Sequence, residues 1–151
     1  MKSLRECAIE LIKNSIEADS TFIKISIFQR DKRRLILSVV DNGKGMTEEE
    51  ILYCSSPFYS TKDKDCGMGI PLVKEYALRT GGDFAIDSIK NNGTTVSALF
   101  KPYNINMIPI GDFYSATLFL IRNFPDINFV LCQKTESCHI TIDSRYSKQR
   151  N

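Results

Sequence analysis

Apolar residues in the opening segment recur every three to four positions, with Leu4, Ala8 and Leu11 on one line and Ile9, Ile12 and Ile16 beside it, which predicts an amphipathic helix. Ser3-Leu4-Arg5-Glu6 reads as a capping box, so this helix opens almost at the first residue. After Asp19 the period drops to two. Ile23, Ile25 and Ile27 alternate with Lys24, Ser26 and Phe28, a charged run over residues 30–34 makes a turn, and residues 35–40 form a second strand. The pattern is a hairpin behind a helix. Asp41-Asn42-Gly43-Lys44-Gly45 then breaks the strand, and Thr47-Glu48-Glu49-Glu50 is a second capping box for a short helix reaching about Tyr53.

Residues 55–69 show no period, only small, charged and glycine residues around Phe58 and Tyr59, and read as a long loop of the kind that carries function or lacks fixed structure. Residues 70–79 are helical, with Leu72, Val73, Tyr76 and Ala77 on one side and Gly81-Gly82 as a stop. Two strands follow, 84–89 and 94–100, joined by a turn carrying Asn92-Gly93. Pro102 and Pro109 bracket a connector. Beyond it the pattern predicts a helix over 112–123, with Phe113, Ala116, Thr117, Leu120 and Ile121 inward, and a final hairpin of 127–132 with 138–142. No internal repeat or low-complexity tract interrupts this order.

Composition narrows the classes. The chain has 151 residues, 42% hydrophobic and 25% charged, as an ordinary soluble domain does, which leaves room for one main domain and a small appendage. Twenty Lys and Arg against eighteen Asp and Glu give a net charge of +2, which implies no nucleic-acid partner. Uncharged apolar runs such as residues 105–111 are far shorter than the roughly 18 residues that span a bilayer, so no membrane segment is expected. Glu6 falls where a secretory signal would need its apolar stretch, and five cysteines, an odd count, fit reduced thiols; both lead to the expectation of a cytoplasmic protein.

Four segments carry candidate chemistry. The Gly-x-x-x-x-Gly-Lys-Ser/Thr phosphate loop is absent. Glu10 and Asn14 lie four residues apart on one helix face, about 5 to 6 Å apart at Cβ. The amide oxygen can complete an octahedral Mg²⁺ shell, and the carboxylate one turn away can orient or deprotonate an attacking water. Taken alone, a solvated helix face would carry the same pair. Asp41-Asn42-Gly43-Lys44-Gly45 puts a carboxylate at a strand end, able to accept from an exocyclic amine such as that of adenine, although an ordinary turn would look alike. Gly67-Met68-Gly69 closes the long loop at a helix start, aiming backbone N–H groups at an anion. Gly93-Thr94-Thr95 opens a strand where a threonine hydroxyl could reach the same base.

In this order the segments resemble the Bergerat-fold ATPase superfamily that contains DNA gyrase, the heat-shock chaperone, histidine kinases and the mismatch-repair protein MutL. The N box is Glu10-Leu11-Ile12-Lys13-Asn14-Ser15-Ile16-Glu17-Ala18, and the first glycine box is Val40-Asp41-Asn42-Gly43-Lys44-Gly45-Met46. Pro57-Phe58-Tyr59-Ser60-Thr61-Lys62 is similar to the segment before the nucleotide lid of histidine kinases, and Gly67-Met68-Gly69-Ile70 to their second glycine box. The resemblance covers residues 4–101. It implies a two-layer α/β sandwich, a mixed sheet with helices on one face, holding ATP between the helices and the 55–69 loop. It further implies that Asn14 holds Mg²⁺, that Glu10 is the general base, that Asp41 binds the adenine amine with help from Thr95, and that Gly67, Met68 and Gly69 meet the phosphates. Gly43, Gly45, Met46, Ile70 and Lys62 belong to the same implied nucleotide site.

Glu-x-x-x-Asn-Ser-Ile-Glu-Ala looks like the N box of gyrase and MutL and has the spacing of anti-sigma serine kinases, whereas the Pro-Phe-Tyr-Ser-Thr-Lys and Gly-Met-Gly segments look like histidine kinases. Many histidine kinases carry a basic residue three positions after the Mg²⁺ asparagine. Here that position is Glu17, which leaves phosphate neutralisation to Lys62 or Lys64. The only histidine, His139, lies in a strand, so the chain is not expected to act as a self-contained sensor histidine kinase. Cys132 and Cys138-His139 make an incomplete set for zinc, and Cys66 beside the second glycine box reads as an incidental loop thiol. Family domains usually begin with strands before the N box, and the 127–142 hairpin is expected to fill their place, in an αββ extension over 103–151 that follows an ATP-binding domain over 1–102. Two functions remain open: a regulatory ATPase or protein kinase that passes the γ-phosphate to water or to a serine of a partner protein, and a nucleotide-gated module whose lid switches a partner interaction.

Overall fold

A computed structural model describes residues 3–55 and 69–149. The first helix, α1 (Leu4–Glu17), is capped by Ser3, whose Oγ accepts from the Glu6 N–H at 3.2 Å. Two further N–H groups of its first turn, those of Leu4 and Arg5, donate to the carbonyls of Pro109 and Ile110 at 2.8 and 3.0 Å. The connector therefore satisfies donors that a helix start otherwise leaves to solvent. Leu4, Cys7, Ala8, Leu11, Ile12 and Ser15 are buried, the stripe that helical spacing predicts.

Strands β1 (Phe22–Asp31) and β2 (Arg34–Asp41) form the expected hairpin, paired antiparallel from Ile23↔Asp41 to Asp31↔Arg34 with a register shift between Gln29 and Asp31. Their alternation is strict: Ile23, Ile25, Ile27, Leu35, Leu37 and Val39 are buried. Helix α2 (Glu48–Ser55) begins at a reciprocal capping box, with the Glu50 N–H donating to Thr47 Oγ1 and the Thr47 N–H to Glu50 Oε1. Helix α3 (Gly69–Arg79) and strands β3 (Asp83–Ser88) and β4 (Thr94–Phe100) follow. After the connector come α4 (Phe113–Asn123), N-capped by Asp112, then β5 (Asn128–Lys134), β6 (His139–Asp143) and α5 (Ser144–Gln149). The last helix has no counterpart in the sequence pattern.

The strands form one six-stranded sheet in the order β3-β4-β2-β1-β5-β6. Every pairing is antiparallel except β1 with β5, which is parallel from Phe22↔Asn128 to Phe28↔Lys134. The sheet is thus continuous across residue 102. Its core face carries Ile25, Leu37, Ala98 and Phe129 beneath α1, α3 and α4. This is the expected α/β sandwich, with one addition: α5 reaches the other face, where the Arg145 guanidinium lies 5.4 Å from the centre of the Phe22 ring.

Candidate functional site

Where β2 runs out, its last residue is delivered under α1. Asp41 is 9% exposed and Ser15 3%. Ser15 Oγ donates to Asp41 Oδ2 at 2.6 Å, and the Gly43 and Thr94 N–H groups donate to Oδ1 at 2.9 and 3.2 Å. A carboxylate offers about four lone-pair positions. Three donors orient this one and leave capacity for another.

The loop after Asp41 is held from both sides. Asn42 Oδ1 accepts from the Thr21 and Phe22 N–H groups, and its Nδ2 donates to Thr21 Oγ1, which fastens the loop to the start of β1. Gly45 has φ +67, and a Cβ there would stand 2.1 Å from the Ile89 carbonyl oxygen; Gly93 has φ +86, and its Cβ would stand 2.1 Å from the Asp41 carbonyl oxygen. Only glycine lets the β3–β4 turn stack this closely on the loop. Ser88 Oγ completes the clasp by accepting from the Met46 N–H at 2.8 Å.

Between this loop, the sheet and the helices lies a cavity of about 140 Å³, roughly ten times what one water molecule needs. Asn14 and Ser15 line it from α1, Asp41 from β2, Gly45 and Met46 from the loop, and Thr94 from β4. Apolar walls come from Leu11, Val39, Cys54, Ile70 and Val96. Asn14 Nδ2 is buried with no acceptor among the described residues, a costly state that a bound oxygen would relieve. At the rim, Glu50 accepts from the Thr47 N–H and pairs with Lys90 at 3.3 Å, and these hold its carboxyl below the ordinary range. Glu17 and Lys44 also reach the cavity.

Of the residues singled out in the sequence, Asn14, Asp41, Gly45, Met46 and Ile70 come together here. Gly43 does not line the cavity; it abuts the end of α1 and acts through its N–H on Asp41. Glu10 lies outside the lining, ion-paired with Lys13 at 3.2 Å, with its Cβ against Gly69 at the start of α3. Thr95 does not line the cavity. It pairs with Val40 and Asp87 on the opposite face of β4, and strand alternation brings Thr94 and Val96 to the cavity instead. Phe58, Tyr59, Lys62, Lys64, Cys66, Gly67 and Met68 lie outside the described residues. Sequence patterning does not single out Ser15 as the partner of Asp41, although it adjoins Asn14; nor does it reveal the apolar walls, which depend on strand register.

The cysteines divide. Cys54 is disulfide-bonded, against the expectation of reduced thiols throughout, whereas Cys7, Cys132 and Cys138 are free. Cys132 faces Thr141 in register, and Lys134 faces His139. Among the described residues no three His, Cys, Asp or Glu side chains gather to hold a metal, and no helix is long and apolar enough to cross a membrane.

Residues 1–104 match the family model described as histidine kinase-, DNA gyrase B-, and HSP90-like ATPase. Similar curated proteins include sporulation kinase C of Bacillus subtilis, 33% identical over 92 residues, covering 60% of this chain and 22% of the kinase. Sporulation kinase E of the same organism is 30% identical, with 60% and 13% covered, and sensor histidine kinase YvrG is 33% identical, with 60% and 17% covered. The aligned region thus spans less than a quarter of each of these kinases.

Proposed function

Because the chain belongs to the family of histidine kinase-, DNA gyrase B- and HSP90-like ATPases, we propose that its cavity binds ATP with Mg²⁺. We propose further that the protein is regulatory, hydrolysing ATP or passing its γ-phosphate to a partner protein. The observation that carries this reading is the pairing, in one cavity, of the oriented Asp41 carboxylate with the buried, unsatisfied amide of Asn14. Asp41 has room to accept one more hydrogen bond, as from an adenine amine, and the apolar walls suit a planar base.

The residues present fit a bound Mg²⁺ of the usual nucleotide kind: one amide, with the remaining ligands from phosphate and water, in place of an all-protein cage. Asn14 is the residue that would hold it, and the ion would neutralise phosphate charge and polarise the terminal phosphoryl group. To Glu10, one turn before Asn14 and just outside the cavity lining, we assign the role of general base toward an attacking water or hydroxyl; its Cβ lies against Gly69 at the start of α3. The second reading, a nucleotide-gated binding module without turnover, is favoured by the Lys13 ion pair that engages Glu10.

Calorimetric titration with ATP and Mg²⁺ tests the site. The parent should bind, and Asp41→Asn, which replaces one of the two accepting oxygens by an amide donor, should weaken binding by about tenfold or more. Thr94→Val should weaken it and Thr95→Val should not. No heat of binding in the parent would remove the proposal. Glu10→Ala should abolish phosphate release while leaving affinity nearly intact; absence of release in the parent would favour the gated module.

A further inference from the structure

The alternation that sends Ile27, Leu35 and Leu37 beneath the helices sends Phe28, Ile36 and Leu99 to the opposite face, side by side on β1, β2 and β4 (Phe28↔Ile36, Ile36↔Leu99). Phe28 is 47% and Ile36 39% exposed, although both stand within the sheet and not at its margin. Helix α5 meets this face at the Phe22 end, and among the described residues the Phe28 end is left open.

Positive charge surrounds the open row. Lys134 stands beside Phe28 in register, and Arg34 lies two residues from Ile36 on the same side of β2. The hairpin tip adds Arg30, Lys32 and Arg33, all exposed, and Lys101 follows β4. None of these cations is ion-paired among the described residues, whereas Lys13, Arg79, Lys90 and Arg145 each meet a carboxylate. The nearby acids are Asp31, Asp83 opposite Leu99, and Glu136, whose N–H donates to Gln29. A chain that is close to neutral overall therefore has one cationic end with apolar side chains in its midst.

We propose that this face docks an acidic segment of a partner protein, whose apolar side chains cover Phe28, Ile36 and Leu99 while its carboxylates meet Arg34, Lys134 and the hairpin tip. A nucleic-acid backbone would use the cations and leave the apolar row in water. A membrane would need apolar side chains at the most protruding point, but that point is the charged run over residues 30–34, and Phe28 and Ile36 lie back on the flat face. The surface is independent of the nucleotide reading, because Asp41 and Arg34 occupy opposite ends of β2, about 23 Å apart at strand spacing.

Fluorescence anisotropy of a labelled amphipathic peptide of glutamate and leucine, titrated with the full chain, tests this. The peptide should bind, its lysine-for-glutamate counterpart should not, and affinity should fall about tenfold or more both in Arg34→Glu/Lys134→Glu and in Phe28→Ser/Ile36→Ser. Unchanged circular dichroism and melting temperature would show that the variants fold. Loss on charge reversal with no effect of Phe28→Ser/Ile36→Ser would overturn the proposal, since that is bare ionic attraction. So would failure of the peptide to bind. Binding of an oligonucleotide or phosphatidylserine vesicles, but not of the peptide, would give the face to that ligand, and self-association in sedimentation abolished by Phe28→Ser would give it to a second copy.

Discussion

At one end β2 places Asp41 beneath α1, almost excluded from water and held by Ser15, Gly43 and Thr94. At the other it places Arg34 in solvent with no ion pair among the described residues. The strand is the same; the surroundings differ. A buried charge must have its partners built in, which fixes its position before any ligand arrives. An exposed charge is solvated by water, so its partner can be supplied from outside.

Removing the charge at each end tests the contrast most strongly. Asp41→Ala strands three donors and should cost about 3 kcal/mol in urea unfolding, whereas Arg34→Ala should stay within about 0.5 kcal/mol. Equal costs would erase the distinction. Gly45→Ala attacks the loop and not the charge. With φ +67 and the Ile89 carbonyl oxygen only 2.1 Å from the new Cβ, it should cost about 2 kcal/mol, read by the same method.

Ser15→Ala sharpens the comparison within the buried end, since it removes one donor and keeps the carboxylate. A loss of about 1 kcal/mol is expected, with weaker ATP binding in the calorimeter because Asp41 is less firmly aimed. The smallest effect concerns a group kept neutral by burial. Desolvation pushes the Cys7 thiol from 9.0 up to about 12, so it stays protonated in the fold where the unfolded chain would ionise. The stability from this difference is fully present below about pH 9 and is lost as pH rises through 12. Melting temperature should therefore decline above pH 9, less steeply in Cys7→Ala, and iodoacetamide at pH 8 should alkylate Cys132 and Cys138 before Cys7.

What was readable in the sequence was local. Ser3, Thr47 and Asp112 mark helix starts because their oxygens serve N–H groups only three residues away. The alternation of Ile23, Ile25 and Ile27 fixes which face of β1 is buried. What escaped depends on register or distance. Choosing Thr94 over Thr95 requires knowing that Thr94 sits opposite Asp41, and the parallel pairing of β5 with β1 leaves no mark in either strand. Helix α5, Ser-Arg-Tyr-Ser-Lys-Gln, has no apolar period and so no signal that patterning can detect. In the candidate site, the N-box and first glycine-box residues were visible as motifs, while the Ser15–Asp41 bond needed the tertiary fold.

The β1–β5 pairing has a consequence for how the molecule is made. Ile23 lies against Phe129 near the middle of the sheet, so a strand synthesised early waits roughly a hundred residues for its neighbour, and non-local contacts of this kind slow folding. Until β5 emerges, the N-terminal hairpin presents an unpaired edge, and the Leu4 and Arg5 N–H groups lack Pro109 and Ile110. A ribosome-bound chain that ends near the close of β4 therefore cannot complete its sheet. A circular permutant that places β5 and β6 ahead of α1 would turn this late, long-range pairing into an early one.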